Sequence, residues 1–194
     1  MADIEQIKKL RVETGVSLIE CKKVLEESAG DIEKAKKILR EKGKELAESK
    51  VLREATAGII ESYLHPGNKI GVLLQIHCES DFVARSEEFK KLAHELCLQI
   101  AATKPLFLSE KDIPEEFLDG ERKIYQKQFE NSGKPQKIVE QIIEGKLNKY
   151  KKEISLLFQL WVKDENKTIE DLIKDYIAKL GENIEIKKFT RFEI

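Results

Sequence analysis

No run in this 194-residue chain approaches the roughly 20 apolar residues that a membrane-spanning helix requires. The longest apolar stretches, 71–76 and 154–162, are interrupted by Gln75 and Gln159. The opening MADIEQIKKL carries acidic residues and lacks the apolar core of a secretory signal. The expectation is a soluble, cytoplasmic protein that works away from membranes. Cysteine is scarce: Cys21, Cys78 and Cys97 are odd in number, widely spaced and without a CxxC pair. That excludes a disulfide framework and the familiar zinc motifs. An excess of one charge is missing too, with 35 Lys+Arg against 36 Asp+Glu and a formal net charge of -1. A protein that holds nucleic acid by bulk charge needs clustered basic residues, so no direct nucleic-acid contact is expected. GxGxxG, P-loop, GxSxG and HExxH motifs are all absent, as are internal repeats and low-complexity segments.

What is present is a strongly charged but balanced composition. Hydrophobic residues make up 41%, enough for a core, while charged residues make up 37% against about 25% in an average soluble protein. Residues 1–54 read as three short helices. Ile4, Ile7 and Leu10 lie at helical spacing and Gly15 ends that run. Ser17 with Glu20 has capping-box form ahead of Leu18, Cys21, Val24 and Leu25. Gly30 is a natural stop and Asp31 a natural N-cap for a third helix, whose Ile32, Ala35, Ile38 and Leu39 share a face. Gly43 is expected to interrupt it. Three helices in so few residues form a bundle too small to be strongly stable alone, the usual form of a docking module.

The period then changes. Residues 56–65 and 69–79 read as two strands around the turn His65-Pro66-Gly67-Asn68, with Ile70, Val72, Leu74, Ile76 and Cys78 on one face of the second. A long helix is expected over 86–103, with Phe89, Leu92, Ala93, Leu96 and Ile100 as its stripe. Helices over 113–131 and 135–152 follow, then the irregular apolar stretch 154–162 and a turn at Asp164-Glu165-Asn166. Thr168 with Asp171 resembles the cap of a helix that runs to Leu180. A last strand over 183–194 carries Ile184, Ile186, Phe192 and Ile194 on one parity and Phe189 on the other, so both faces are expected to be at least partly covered. The expected fold class is α+β: a helical domain over 1–54, then a core over 55–194 with a small antiparallel three-stranded sheet packed with helices. So small a sheet makes pairing with a second copy plausible.

Two groups of residues carry candidate chemistry. His77, Glu79 and Asp81 alternate, so a continuing strand would project all three from one face, where they could hold a divalent metal or act as acid and base. The simpler reading is a solvated strand face. Ser80-Asp81-Phe82-Val83 occupies a strand-to-helix connection, where binding residues concentrate. Either Ser80 or Asp81 caps a first turn and Phe82 tucks into the core, or Phe82 protrudes into a partner's pocket with Asp81 beside it as a charged probe. Lys22-Lys23 and Lys36-Lys37 read as solvated helix faces, and Trp161 as core.

Several motifs in order resemble one family. Lys9-Leu10-Arg11, Thr14-Gly15, Cys21-Lys22-Lys23 and Gly30-Asp31-Ile32-Glu33-Lys34-Ala35 are similar to the N-terminal domain of bacterial elongation factor Ts, which is related to the ubiquitin-associated three-helix fold. Ser80-Asp81-Phe82-Val83-Ala84-Arg85 is similar to that family's Thr-Asp-Phe-Val-Ala stretch. Gly133-Lys134-Pro135, Glu144-Gly145-Lys146-Leu147, residues 158–164 and Lys179-Leu180-Gly181-Glu182-Asn183-Ile184 continue the match. The resemblance implies a guanine-nucleotide exchange factor for elongation factor Tu, without a cofactor, a metal of its own or an enzymatic reaction. It binds GDP-bound and nucleotide-free Tu and dislodges Mg²⁺ so that GDP leaves and GTP enters. By the family pattern Asp81 and Phe82 carry the exchange, Ser80 and Val83 complete the intruding loop, and Lys22 and Lys50 lie in or near the docking domain. The chain looks like the family's short form, for which a homodimer is expected.

Some positions depart from the pattern. Ser80 replaces the usual Thr and keeps the hydroxyl, Glu20 stands where Asp is common, and Phe158-Gln159-Leu160-Trp161 replaces Glu-Gln-Pro-Phe. Two other classes stay open on the residues themselves: an adaptor that uses the N-terminal bundle alone, and a metal-dependent enzyme built on His77, Glu79 and Asp81.

Overall fold

A computed structural model of the chain describes residues 3–130 and 132–194. The fold is α+β, with three N-terminal helices followed by a small antiparallel sheet packed with helices. The chain forms two compact units, one of Met1–Ile59, Ile76–Leu92 and Asp171–Glu185, the other of Ile60–Gln75, Ala93–Glu170 and Ile186–Ile194.

The first unit begins with α1 (Ile4–Thr14), α2 (Leu18–Glu27) and α3 (Ile32–Lys50), each opened by the residue that its local chemistry favours. Asp3 accepts from the Glu5 N–H, Ser17 from Glu20 and Asp31 from Lys34, which satisfies helix-end donors that have no partner within the helix. Gly15 closes α1 in the left-handed region at φ 71°, donating to the Arg11 carbonyl, a conformation that glycine adopts without Cβ strain. Leu10, Cys21, Val24, Leu25 and Ala35 are fully buried and form the bundle core with Ile7 and Leu39. Gly43 does not end α3, contrary to expectation. An interior glycine costs only about 1 kcal/mol relative to alanine, and tertiary packing offsets that here: a Cβ at Gly43 would come within 3.3 Å of the Ala178 Cβ. Ala178 belongs to α8 (Ile169–Leu180), so the small residue lets two helices approach.

The sheet has the order β1-β2-β5, from β1 (Ala57–Leu64), β2 (Ile70–Cys78) and β5 (Ile184–Glu193). In the β1–β2 turn Gly67 and Asn68 take φ 95° and 58°, and the Asn68 N–H donates to the His65 carbonyl. In the central strand Val72, Leu74, Ile76 and Cys78 are buried while Leu73 and Gln75 are exposed, the alternation that a strand with one covered face requires. Helix α5 (Glu87–Thr103) buries Phe89, Leu92, Ala93, Leu96 and Ile100, as its spacing predicts. The covered face changes along β5. Ile184 and Ile186 are buried, but Lys187 and Lys188 are both exposed, and beyond them Phe192 is 64% exposed. Arg191 instead turns inward and donates to the Ala101 carbonyl from Nε and Nη2. A break in alternation reverses the facing of every later residue.

The second unit holds the helical hairpin α6 (Glu115–Phe129) and α7 (Gln136–Ile154). Both helices are shorter at their N-termini than the hydrophobic pattern suggests, because Pro114 and Pro135 act as extended entry residues, and Asn131 lies outside the described residues. The expected turn at 164–166 is part of a strand. β3 (Leu160–Trp161) pairs antiparallel with β4 (Asp164–Thr168), Trp161 opposite Asp164, so the turn sits at Val162-Lys163. Polar Asp164-Glu165-Asn166 looks like a loop but can occupy a two-stranded ribbon with little to bury. In the segment that departs from the family pattern, Gln159 is buried. Its Oε1 accepts from Thr103 Oγ1 at 2.6 Å and Gln99 Nε2 at 3.3 Å, and its Nε2 donates to the Glu153 carbonyl. Phe158 and Leu160 point outward.

Candidate functional site

The connection after β2 is a short helix, α4 (Asp81–Arg85), in place of a loop. Ser80 is extended at φ -123°, ψ 156°, and its Oγ accepts from the Val83 N–H. Ser86 returns to extended backbone, and its Oγ–H donates to the Val83 carbonyl at 2.7 Å while its Oγ accepts from the Phe89 N–H. One serine therefore opens α4, and another closes it and starts α5. Successive helical residues lie 100° apart, so a five-residue helix with Val83 and Ala84 buried must turn Asp81 and Phe82 outward. Val83 is 7% exposed and Phe82 83% exposed. Of the two sequence-level possibilities the cap forms as expected, but Phe82 does not tuck into the core. Burying a Phe side chain is worth roughly 1.5–3 kcal/mol, which this fold forgoes at Phe82. Asp81 beside it pairs with Arg85 at 2.9 Å, both side chains well exposed, a geometry worth only a few tenths of a kcal/mol in water.

The three groups that alternate in sequence do not converge. His77 Nδ1 lies 3.1 Å from the Ala55 carbonyl. Glu79 accepts from the Asn183 N–H at 2.7 Å and pairs with Arg53 at 3.6 Å, and Asp81 belongs to α4. The strand stops at Cys78, so the alternation does not carry through. Among the described residues no group of three His, Cys, Asp or Glu side chains could hold a metal ion.

The turn after α8 supports this corner. Gly181, at φ 80°, stops the helix, and Glu182 receives both Ser80 donors: the backbone N–H at 2.9 Å and the Oγ–H at 2.6 Å. Asn183, buried, donates from Nδ2 to the carbonyls of Val51 and Arg53. Lys50 donates to the Gly181 carbonyl, so this lysine strengthens the joint between α3 and α8. In the sequence Glu182 and Asn183 stand out only as part of a motif that resembles the family's. Their spacing from Ser80, about a hundred residues, carries no local signal. Cys78, under the site, donates Sγ–H to the Ser80 carbonyl at 3.2 Å, and burial, with the Glu182 carboxylate second, pushes its thiol up to about 11.

Lys22 lies elsewhere on the same unit. It borders an open groove of about 650 Å³ along α1 and α2, floored by Ile4, Val12, Leu18 and Ile19 and edged by Lys8, Arg11 and Lys22. Ile4, Val12 and Ile19 are 68%, 85% and 81% exposed. An apolar floor with a basic rim is suited to an amphipathic helix that carries acidic residues.

Comparison with known proteins identifies the family. The family model described as elongation factor TS matches residues 3–194. Elongation factor Ts of Coprothermobacter proteolyticus is 50% identical over 188 residues, covering 97% of this chain and 95% of that protein. Elongation factor Ts of a Thermoanaerobacter species is 47% identical over 193 residues, covering 100% and 95%. That of Thermosipho melanesiensis is 46% identical over 194 residues, covering 100% and 99%.

Proposed function

The chain belongs to the elongation factor Ts family, and from that premise we propose that it is the guanine-nucleotide exchange factor of elongation factor Tu in translation elongation. The observation that carries the mechanism is Phe82, exposed on a short helix that is capped at both ends. It binds GDP-loaded Tu, with residues 1–54 docking through the apolar groove and its basic rim at Lys22, and residues 55–194 presenting the wedge.

Phe82 enters a pocket between Tu's own elements, and Asp81 competes for polar groups next to it. Mg²⁺ holds nucleotide phosphates through a strict octahedral shell at 2.0–2.1 Å, so a small shift of the elements that carry its ligands dislodges the ion without contact from Phe82 to the nucleotide. With Mg²⁺ gone, repulsion from the diphosphate is no longer balanced and GDP leaves. Such a factor must bind nucleotide-free Tu more tightly than loaded Tu, because a ligand with equal affinity for both states shifts nothing. By reciprocity GTP then weakens its hold and displaces it. No covalent bond is made or broken, so the protein is not an enzyme in the chemical sense. Val83 serves the wedge from inside, as packing.

Exposed apolar residues on the sheet support homodimer formation. Glu61 and Tyr63 face α5, the carboxylate 3.5 Å from His94 and the ring edge-on to it, so Ile60 and Leu64 face away, at 73% and 61% exposed. Leu73 and Phe192 share that outer face and are 48% and 64% exposed. A second copy of this face would cover them.

The direct test is release of a fluorescent GDP analogue from purified elongation factor Tu. The protein accelerates it many-fold at millimolar Mg²⁺ and adds little once chelator has removed the ion. An unchanged release rate at saturating protein refutes the proposal.

A further inference from the structure

Resting on the exchange reading, we propose that Glu182 is a positioning residue for the Asp81-Phe82 wedge. Helix α4 has five residues, far below the length at which a helix holds itself in water. Its direction is therefore set by what grips its ends. Ser86 grips the far end from its own neighbourhood. The near end is gripped from a turn 102 residues away, where both Glu182 oxygens are used on Ser80.

The chemistry of the serine explains why the carboxylate matters. A hydroxyl has one proton and two lone pairs. With its proton committed to Glu182 Oε1 at 2.6 Å, the lone pairs are left for the Val83 N–H at 3.3 Å, and the hydroxyl rotor is locked in its capping position. Without Glu182 the hydroxyl turns toward local carbonyls, the cap weakens and the Ser80 N–H loses its acceptor. The cap sets the first turn, and that turn carries Phe82. A side chain that must displace a partner's elements has to be held to a fraction of an ångström, which α4 alone does not provide.

The same turn has a second grip. Next to Glu182, Asn183 donates its N–H to Glu79 and its Nδ2–H to the Val51 and Arg53 carbonyls, and Arg53 lies 3.6 Å from Glu79. The segment 181–183 thus clasps the end of α3 on one side and the base of the wedge on the other. Glu182 touches neither the groove at Lys22 nor the exposed face of Phe82, so its effect should fall on the rate of release within the complex and leave docking alone.

The test is the saturating rate of fluorescent GDP release from elongation factor Tu, and the concentration that gives half of it, for the full chain. Glu182→Ala lowers the saturating rate about tenfold, the scale of a lost charge-assisted hydrogen-bond pair, with the half-saturating concentration within about twofold of wild type. Glu182→Gln restores only part of the rate, because its single carbonyl accepts one of the two Ser80 donors while its amide nitrogen can only donate, which leaves the other grip unmade. Glu182→Asp, which keeps the charge but withdraws it by one methylene, loses rate without unfolding. In a Phe82→Ala background Glu182→Ala has no further effect, since what it positions is gone. Three results overturn the proposal: a wild-type saturating rate in Glu182→Ala, the same fold-loss in both backgrounds, or a loss in Glu182→Gln as large as in Glu182→Ala. A wild-type protein that does not accelerate release, or a Phe82→Ala variant as fast as wild type, refutes the exchange reading itself.

Discussion

At the scale of single residues, exposure and backbone geometry separate positions kept for a partner from positions kept for the fold. Gly58 belongs to the fold. Its φ is 157°, and a Cβ there would lie 2.3 Å from the Ile76 carbonyl oxygen and 2.8 Å from the His77 Cα. Both are backbone atoms in the neighbouring strand and cannot swing aside, so Gly58→Ala should cost about 1–3 kcal/mol, measured as a lower midpoint of chemical denaturation. The buried thiols add a pH dependence. Burial pushes Cys97 up to about 12 and Cys78 up to about 11, while in the unfolded chain both titrate near 9. Below that unfolded value neither state is ionised and nothing changes with pH. Above it the unfolded state releases protons that the folded state retains, so stability falls as pH rises from about 9. At one unit above, Cys97 alone accounts for about 1 kcal/mol. Denaturation midpoints should therefore fall between pH 8.5 and 10.5, and the slope should flatten in Cys97→Ala relative to wild type. The sequence gives these cysteines no disulfide framework, but only the fold shows that both are free and how strongly burial suppresses their ionisation.

At the scale of elements, local rules locate the helices well and fail where distant contacts decide. Ser17 and Asp31 cap their helices as their residue types predict, and the period-two pattern of β2 gives its buried face correctly. Gly43 breaks the rule because Ala178, far away in sequence, makes a close approach worth more than the propensity lost. The facing of β5 reverses because Arg191 finds a carbonyl in α5, and the ribbon at 160–168 forms from residues that read as a turn. The outward direction of Phe82 was one of two possibilities in the sequence; burial of Val83 and Ala84 decides between them. Helices α1 and α2 carry a prediction of their own. The groove has an apolar floor and a basic edge, so Lys22→Glu should raise the half-saturating concentration for GDP release several-fold and leave the saturating rate near wild type. A change confined to the saturating rate would mean that the groove is not the docking surface.

At the scale of the whole molecule, membership of the elongation factor Ts family and two exposed apolar surfaces account for the chain's charge-balanced, motif-poor sequence. On the exchange reading it has no chemical step to perform and instead presents surfaces. The outer sheet face at Ile60, Leu64, Leu73 and Phe192 predicts self-association: sedimentation at micromolar concentration should give a dimer, and Ile60→Asp with Leu73→Asp should give a folded monomer. A wild-type monomer under those conditions contradicts the pairing. One comparison decides whether Asp81 and Phe82 drive the exchange. The saturating rate of fluorescent GDP release from elongation factor Tu is measured with the wild-type protein and with the Asp81→Ala/Phe82→Ala variant, after circular dichroism has shown the variant folded. Both side chains are exposed and contribute little to the core, so the variant should keep its fold and its complex with Tu while losing most of the acceleration. A folded variant that releases GDP as fast as wild type would contradict the wedge and move the exchange to other contacts.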